Sequence, residues 1–274
     1  MNSNPIAEFE DQVRRNVERL GAAPQLQADT LAWMIHAGAT GAYTYNFRWL
    51  GRPIIQYPQD MVALQELVWQ VRPDLVIEAG IAHGGSLILS ASLLAMLDYC
   101  DAVEAGQVLD PRATRRRVLG IDIDIRAHNR AAIEAHPLAH RIDMIQGSSI
   151  DPGIVAQVHA MAEGYERVLV ILDSNHTHDH VLAELEAYAP LTSPGSYCVV
   201  YDTLVEDMPE DTVADRPWGR GNSPKTAVRE YLRRLDAEGR RARDGAPLHF
   251  ETDKAIESKL LITVAPDGFL KRTR

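Results

Sequence analysis

An apolar run that ends in an acid and a glycine-rich turn constrains the fold of this chain more than any other feature. The run begins at Asp74 and reads Asp-Leu-Val-Ile-Glu-Ala-Gly-Ile-Ala-His-Gly-Gly-Ser. Leu75–Ile77 suit a strand buried on both faces, and a glycine-rich turn lets a backbone approach a ligand closely. The glycines of the turn are Gly80, Gly84 and Gly85. The pattern predicts a strand, a ligand-binding loop and a helix capped by Ser86.

The spacing of these glycines limits the ligand that the loop can bind. Glu-x-Gly-x-x-x-Gly-Gly differs from the Gly-x-Gly-x-x-Gly of dinucleotide sites, and the Gly-Lys-Ser/Thr of a phosphate loop is missing. Two interpretations of the loop remain: it binds a nucleoside-like ligand other than NAD, or it is an ordinary strand-to-helix turn that binds nothing.

Apolar strands and amphipathic helices alternate from Asp74 onward, which predicts an α/β fold with a parallel, doubly wound sheet. The predicted strands are Leu75–Glu78, Val118–Asp122, Ile142–Gln146, Val168–Asp173 and Tyr197–Asp202. His249–Phe250 and Leu260–Val264, with a turn at Pro266-Asp267-Gly268, predict a terminal antiparallel hairpin. Residues 1–72 have helical periodicity and form a predicted N-terminal helical segment on the acceptor side of a 73–274 domain.

Composition narrows the possible partners. The net charge is −10 and the pI about 5.5, which argues against a nucleic acid held through its phosphates and favours a small acceptor. Cys100 and Cys198 show no metal-type spacing and suggest a reducing compartment. Neither a signal region nor an apolar run long enough to span a bilayer is evident, so we expect a cytoplasmic protein without a membrane span.

One segment interrupts the alternation. Tyr99–Arg117 carries acidic and then strongly basic residues between the first helix and the second strand. Charge runs are usually exposed, so we expect a solvated excursion that is dispensable for ligand binding; an anion site is the minor alternative.

Polar residues after the second and third predicted strands are candidates for a nucleoside site. Asp122 ends the second strand, where an acid can accept both hydroxyls of a ribose; Asp124 is the competing acid. Gly147, Ser148 and Ser149 follow the third strand and can hydrogen-bond an adenine edge or simply cap the next helix.

The fourth and fifth predicted strands end in acids. Asp173 and Asp202 would meet at one edge of the pocket and offer the oxygen ligands that Mg²⁺ prefers; as alternatives, one acid caps a helix and the other is an ordinary loop residue. His176 and His178 are candidate bases beside Asp173, whereas His180 is expected only to pack in a helix. The run His-Thr-His-Asp-His is one residue short of the zinc pattern His-x-His-x-Asp-His.

Taken together, the segments resemble the cephalosporin hydroxylase family, whose fold and cofactor site are those of S-adenosylmethionine (SAM) methyltransferases, including rhamnosyl O-methyltransferases. The matching pieces are Trp49–Ile54 with Gln56, Pro58 and Asp60; Glu78, Gly80, Gly84, Gly85 and Ser86; Gly120–Arg126 with His128–Arg130; Gln146–Ser149; Leu172–His180; Pro194–Tyr197 with Asp202; and Arg216–Gly219 with Gly221 and Asn222. The resemblance implies a Rossmann-like sheet, a SAM site on those glycines and a divalent-metal site on Asp173 and Asp202. It departs at Tyr201, where related macrolide-sugar methyltransferases have a further acid.

The sequence therefore predicts a SAM-dependent, Mg²⁺-assisted O-methyltransferase that acts on a sugar or glycoside and forms a homo-oligomer. Asp173 or a nearby histidine would take the proton, and a run of aromatic residues with the Arg216–Asn222 loop would cover the sugar. The aromatic residues are Tyr43, Tyr45, Phe47 and Trp49. Two other classes stay open: an iron hydroxylase with a site of His176, His178 and Asp173, and a sugar- or SAM-binding protein without turnover.

Overall fold

The computed structural model describes residues 4–274, so the first three residues of the predicted N-terminal segment lie outside the described residues. The helices are α1 (Pro5–Gly21), α2 (Pro24–Gly41), α3 (Pro58–Val71), α4 (Gly85–Ala105), α5 (Ala127–Glu134), α6 (Pro152–Ala162), α7 (His178–Tyr188), α8 (Pro224–Glu238) and α9 (Lys254–Leu260). The strands are β1 (Phe47–Trp49), β2 (Arg52–Ile54), β3 (Leu75–Ala79), β4 (Arg117–Asp122), β5 (Ile142–Gln146), β6 (Val168–Leu172), β7 (Tyr197–Val200), β8 (Phe250–Thr252) and β9 (Phe269–Arg272).

Seven strands form the central sheet in the order β5-β4-β3-β6-β7-β9-β8. The first five are parallel, and β9 runs antiparallel to both β7 and β8. The predicted α/β, Rossmann-like sheet with a terminal antiparallel hairpin is confirmed. The strands β3 and β6 are buried along their whole length because helices cover both faces, which explains their uninterrupted apolar runs.

The helices divide between the two faces of the sheet. Helices α3, α4 and α5 share one hydrophobic core with side chains such as Val76 and Val118, and α6, α7 and α8 share the other with Ile77 and Leu119. The alternation of neighbouring strand residues between the two cores follows from the two-residue period of a strand. Both faces are thereby closed to solvent.

The terminal hairpin uses a different second strand from the one predicted. Leu260–Val264 was expected to pair, but the paired strand is β9, which follows the turn at Pro266–Gly268. Asp253 caps α9 by accepting from the amide of Ala255, and this helix ends at Leu260, the first residue of the stretch. The backbone of Val264 is then bound by Asp60 and Leu204 instead of by the sheet.

The N-terminal segment packs on the sheet domain at two places. Helix α1 contacts α9, and α2 buries Met34 against Tyr57 and Leu204. Helix α3 lies in the core beneath the sheet, with Leu64 and Val68 buried. The short antiparallel hairpin β1–β2 connects α2 to α3 and rests on the beginning of α4.

Helix α4 is long and apolar enough to cross a membrane by length and composition alone. Serines and acidic residues interrupt the helix, so it is not an uninterrupted apolar run of the kind that the sequence was expected to lack. A core helix meets the same criterion, and Leu87, Ile88 and Leu94 of α4 are buried against the sheet and α3. Its apolar character is accounted for by this packing.

The segment Tyr99–Arg117 is the predicted solvated excursion only in its middle, where residues 103–113 are exposed. Its first residues continue α4 to Ala105, and Arg117 begins β4. In between, Arg116 pairs with Asp98, which also binds the buried Arg141 at 2.5 Å. Arg117 pairs with Asp143, whereas Arg112 and Arg115 are exposed. The end of the segment therefore belongs to the folded structure, and its predicted dispensability for ligand binding stays a prediction.

We expect Asp98→Ala to lower the free energy of unfolding by about 3–5 kcal/mol, because it leaves the guanidinium of Arg141 buried without its partner. Although burial raises the pKa of Asp98, hydrogen bonds from Thr114, Arg141 and Arg116 hold it below its ordinary value. The stabilisation should therefore be present above the carboxyl's unfolded pKa of about 3.9 and be lost as the pH falls through the lower folded pKa.

Urea unfolding at several pH values measures this contribution. Asp11→Ala is the control, since the exposed Asp11–Arg14 pair should contribute at most about 1 kcal/mol. Equal, small losses for both variants would show that the Asp98 network adds little.

Candidate active site

The loops that carry the candidate residues meet where the order of strands reverses. Ala79, the last residue of β3, lies opposite Ile121 of β4 and Leu172 of β6, and Leu172 lies opposite Val200 of β7. Parallel strands that end at one level bring the following residues to one edge of the sheet. The reversal between β3 and β6 is the place where open α/β sheets bind ligands.

Gly80 allows the loops after β3 and β6 to touch. Its φ is +99°, and a Cβ at this position would lie 2.1 Å from the carbonyl oxygen of Asp173. We attributed the need for glycine to the space taken by a ligand, but the backbone of Asp173 already fills that space. Packing between two loops therefore explains this glycine.

The next two glycines also meet parts of the protein itself. Gly84 has a φ of +81° and would place a Cβ 2.4 Å from Ile133, while a Cβ on Gly85 would lie 2.2 Å from the carbonyl oxygen of Pro53. Gly85 thus lets the β1–β2 hairpin rest on the first turn of α4. Gly84, not Ser86, occupies the N-cap position, so the predicted cap was wrong.

Ser86 instead donates a hydrogen bond to Glu78, at the end of β3. Glu78 is only 2% exposed, and burial raises the pKa of its carboxyl to about 8, against the opposing effect of the Ser86 hydrogen bond. The nearby Asp173 raises it further. Through this hydrogen bond, Glu78 connects the end of β3 to the first turn of α4 on the far side of the glycine turn.

Asp122 fastens the glycine loop to the end of β4. Its Oδ2 accepts from the amides of Ile81 at 2.8 Å and Ala82 at 3.2 Å, and its Oδ1 accepts from the amide of Asp124. Asp124 itself is exposed. Asp122 therefore shapes the loop and also lines the adjoining cavity, where its predicted role toward a ribose stays a prediction.

Two cavities open along this edge. The glycine-loop cavity has a volume of about 240 Å³ and is bounded by the loop from Gly80 to Ser86, the β2 strand, Asp173 and Asp202. The serine-loop cavity has a volume of about 130 Å³ and is lined by Ile121, Asp122, Ile123, Ser148, Ser149, Ser174, Asn175 and His180. Gly147 does not line it, because the space beside this glycine is filled by Ile154, 2.5 Å from a Cβ at that position.

Three of the predicted residues converge at the glycine-loop cavity. His176 Nδ1 lies 3.0 Å from Asp202 Oδ2, and His176 Nε2 lies 3.5 Å from Asp173 Oδ1. Within residues 4–274, Asp173, His176 and Asp202 form a group that could hold a metal ion, because one ligand atom from each lies within 4.8 Å of the other two. The prediction that Asp173 and Asp202 come together is confirmed by these distances.

The charges of the three groups are strongly linked. Burial raises the pKa of Asp173 to about 6, the hydrogen bond from His176 opposes this, and Asp202 adds repulsion. Burial lowers the pKa of His176, but the attraction of Asp202 and the hydrogen bonds to both carboxylates raise it to about 10. A cation is therefore favoured between the carboxylates, and protonated His176 supplies that charge in this arrangement.

The other two histidines of the run lie elsewhere. His178 begins α7 and its Nδ1 is 2.8 Å from Thr226 Oγ1, so it is turned toward α8 and away from the Asp173 group. The iron set of His176, His178 and Asp173 is therefore not assembled in this structure. His180 lies two residues further along α7 and lines the serine-loop cavity, although we expected it only to pack.

Tyr201 is not placed to replace a carboxylate ligand. Its side chain is 2% exposed and belongs to the hydrophobic core shared by α3 and α4. Burial raises the pKa of its phenol well above the ordinary value. Asp202 turns toward the cavity by adopting a left-handed backbone with φ +54°, which puts the two neighbouring side chains in different surroundings.

Asp60 is a site residue to which the sequence assigned no role. It is fully buried in the first turn of α3 and accepts from Thr263 Oγ1 at 2.5 Å and from the amide of Val264 at 3.1 Å. Burial raises the pKa of Asp60 to about 7, and Asp202 and Asp173 contribute to the rise. Its contact with Thr263 joins residues 203 positions apart, so no local pattern indicated it.

The aromatic surface is smaller than predicted. Tyr43 packs among Trp33, Phe47 and Tyr57, and the Trp49 indole donates to Ser92 of α4. Tyr45 remains 59% exposed and lines the glycine-loop cavity.

The Arg216–Asn222 loop adds one aromatic ring to the site. The Trp218 ring lies 4.8 Å from the His176 ring. Asn222 accepts from the backbone amide of His178, which attaches the loop to the start of α7. Glu206 accepts from the amide of Gly221, which attaches the loop to the segment after β7.

Comparison with known proteins shows which family this chain is similar to. Residues 41–273 match the sequence profile of the family described as Rhamnosyl O-methyltransferase/CmcI. A rhamnosyl O-methyltransferase of Mycobacterium leprae is 30% identical over 248 residues, which cover 89% of this chain and 91% of that protein. A rhamnosyl O-methyltransferase of Mycobacterium tuberculosis is 30% identical over 218 residues, covering 78% and 73%. A solved structure of CmcI with Mg and SAM shares the fold, with a TM-score of 0.50, 17% identity and coverage of 84% and 78%.

Gly80→Ala should destabilise the protein by about 3 kcal/mol or more, since the new Cβ collides with the Asp173 carbonyl in addition to the strain of a positive φ. Gly164→Ala is the matched control: its φ is +83°, and no heavy atom lies within 4 Å of the added carbon. Strain alone should cost it about 1 kcal/mol. Urea unfolding of both variants measures the difference, and equal losses would contradict the loop-packing explanation.

Proposed function

Because the chain belongs to the rhamnosyl O-methyltransferase/CmcI family, we propose that it transfers a methyl group from SAM to a hydroxyl of a sugar or glycoside, such as a rhamnoside, with help from a divalent cation. The convergence of Asp173, His176 and Asp202 beside the glycine-loop cavity is the observation that carries the proposal. The family accounts for SAM-dependent O-methyl transfer in general, whereas the sugar and the cation rest on the geometry and on the names of the relatives.

The two cavities fit the two ends of SAM. The glycine-loop cavity would hold the methionine end and the reacting methyl group, and the serine-loop cavity would hold the adenine. Asp122 lies between them and fixes the backbone of the glycine loop. Ser174 lines both cavities, so a single extended ligand can pass from one to the other.

The donor set fits a hard divalent cation. Asp173 and Asp202 offer carboxylate oxygens, and burial together with repulsion from Asp202 raises the pKa of Asp173. Oxygen donors are the ligands that Mg²⁺ prefers, with water and substrate oxygens completing its shell. Tyr201 supplies no further ligand because it lies in the core.

Bound SAM would supply the methyl group, and a cation on Asp173 and Asp202 would supply positive charge that lowers the pKa of the acceptor hydroxyl. The site would align the acceptor hydroxyl with the methyl group, and the hydroxyl proton would pass to His176 as SAM gives up its methyl and leaves as S-adenosylhomocysteine. In the arrangement described above, the raised pKa keeps His176 protonated. A cation on Asp173 and Asp202 would offset the negative charge that raises this pKa, and the neutral ring could then accept the hydroxyl proton. The walls of the site contribute mainly by aligning the two reacting atoms.

The acceptor side has room for a sugar. Tyr45 lines the glycine-loop cavity with its ring exposed, and Trp218 stands against His176 on the other side. Aromatic rings present apolar faces on which the C–H side of a sugar can rest. A protein of this fold that only binds its ligands would need no base between two carboxylates, so we favour turnover.

We also propose a cytoplasmic, homo-oligomeric protein. Free cysteines at positions 100 and 198 suit a reducing compartment. Exposed apolar side chains on α3 and α4, among them Trp69, Met96 and Tyr99, support assembly with a further copy. Sedimentation of the purified chain measures the assembly.

Asp202→Asn should reduce methyl transfer to a sugar by about 100-fold or more, as exhaustive chelation should, because both remove positive charge from the hydroxyl. Mg²⁺ should restore the chelated wild type and leave the variant inactive. S-adenosylhomocysteine binding by calorimetry should change little in either case. Asp124→Asn, an exposed acid outside the group, is the control. Full activity after chelation would rule out the cation.

His176→Gln should lower kcat by about 10²- to 10⁴-fold, the contribution of a general base. His178→Ala should stay within about threefold of the wild type, since that ring is bonded to Thr226 and takes no part in proton transfer. Steady-state kinetics at saturating SAM separate the two variants. A greater loss in His178→Ala than in His176→Gln would reverse the assignment of the base.

A further inference from the structure

Four side chains form a hydrogen-bonded group that takes no part in the proposed proton transfer, and three of them line the serine-loop cavity. They are Ser149 after β5, Ser174 after β6, and His180 and Glu184 on α7. Glu184 is completely buried, and its Oε1 accepts from both serine hydroxyls at 2.5 Å. His180 Nε2 lies 3.0 Å from Ser149 Oγ and 3.3 Å from Ser174 Oγ.

This arrangement fixes where the proton of His180 resides. A serine hydroxyl has one hydrogen to donate, and each of these hydroxyls gives it to Glu184. The serine oxygens can therefore only accept from His180, so Nε2 carries the hydrogen. In the neutral ring, Nδ1 is then an acceptor, and it has no hydrogen-bond partner within residues 4–274.

The ring lines the cavity that would hold the adenine. Ile123, which is 72% exposed, lines the same cavity and offers an apolar surface for a flat base. We propose that His180 recognises adenine by accepting a hydrogen bond at Nδ1 from the 6-amino group, and that Glu184 is the positioning residue that sets the tautomer. This rests on the proposed function, in which the cofactor is SAM.

Glu184 is a buried carboxylate that the proposed methyl transfer does not use. Glu184 joins the loops after β5 and β6 through two serines, and its own helix carries the histidine that it positions. A site that accepts a hydrogen bond from the 6-amino group should select against a base with an oxygen at position 6. Hypoxanthine would place a carbonyl lone pair against the Nδ1 lone pair, which leaves two acceptors facing each other.

Calorimetry with S-adenosylhomocysteine and its inosine counterpart, S-inosylhomocysteine, tests the assignment. We expect the wild type to bind the adenine ligand about tenfold more tightly, the effect of one hydrogen bond and one unfavourable contact. His180→Ala should weaken binding of the adenine ligand and strengthen that of the inosine ligand, because it removes both the hydrogen bond and the repulsion, so the preference disappears. His178→Ala, a histidine of the same helix outside the cavity, should keep it.

Glu184 is tested by a conservative and a disruptive change. Glu184→Gln keeps an oxygen that accepts from both serines and should retain the preference, whereas Glu184→Met removes the acceptor and should abolish it. Long-range ¹H–¹⁵N spectra should show His180 as the Nε2–H tautomer in the wild type and in Glu184→Gln. The wild-type spectrum alone shows which nitrogen of His180 carries the hydrogen, so the tautomer is tested even where Glu184→Met does not fold.

The outcomes separate this inference from the function on which it rests. A wild type that binds both nucleosides equally, a His180→Ala that keeps the preference, or an Nδ1–H tautomer would overturn the role of His180 while leaving SAM binding in place. A wild type that binds neither nucleoside would overturn the proposed function, and the adenine assignment with it.

Discussion

The close approach of the loops after β3 and β6 is the contact on which the site depends. Gly80 lies against the carbonyl of Asp173, in a backbone conformation that suits only glycine without strain. This contact sits at the reversal of the sheet order, so it sets the distance between the glycine loop and the acids that follow β6 and β7. Asp122 then holds the far side of the glycine loop through two amide hydrogen bonds.

Burial of acids gives the site its chemical character. Asp60, Glu78 and Asp173 all have raised pKa values, and burial is the leading cause for each. At Asp98 the same cost of burial is outweighed by hydrogen bonds from arginine and threonine, and the pKa is lowered. The difference separates a structural network, whose charges are already matched, from a site that still favours a cation between Asp173 and Asp202.

Segments from both ends of the chain close around the cavities. Arg52 of β2 donates to the carbonyl of His83 and to Asn129, which attaches the β1–β2 hairpin to the glycine loop. Asp60 of α3 binds Thr263 and the backbone of Val264 from the C-terminal segment. The loops at the cavities are thus connected by hydrogen bonds between residues far apart in the sequence.

The sequence by itself determined the parallel sheet with its terminal hairpin, and the convergence of Asp173 and Asp202, because a two-residue period and the ends of parallel strands are local properties. Only the tertiary structure decided the surroundings of each side chain. It turned His178 toward Thr226, buried Tyr201, placed Asp60 beside the acids and made β9 the paired strand. These outcomes depend on contacts between distant segments, and neither residue type nor spacing encodes which neighbour a side chain will meet.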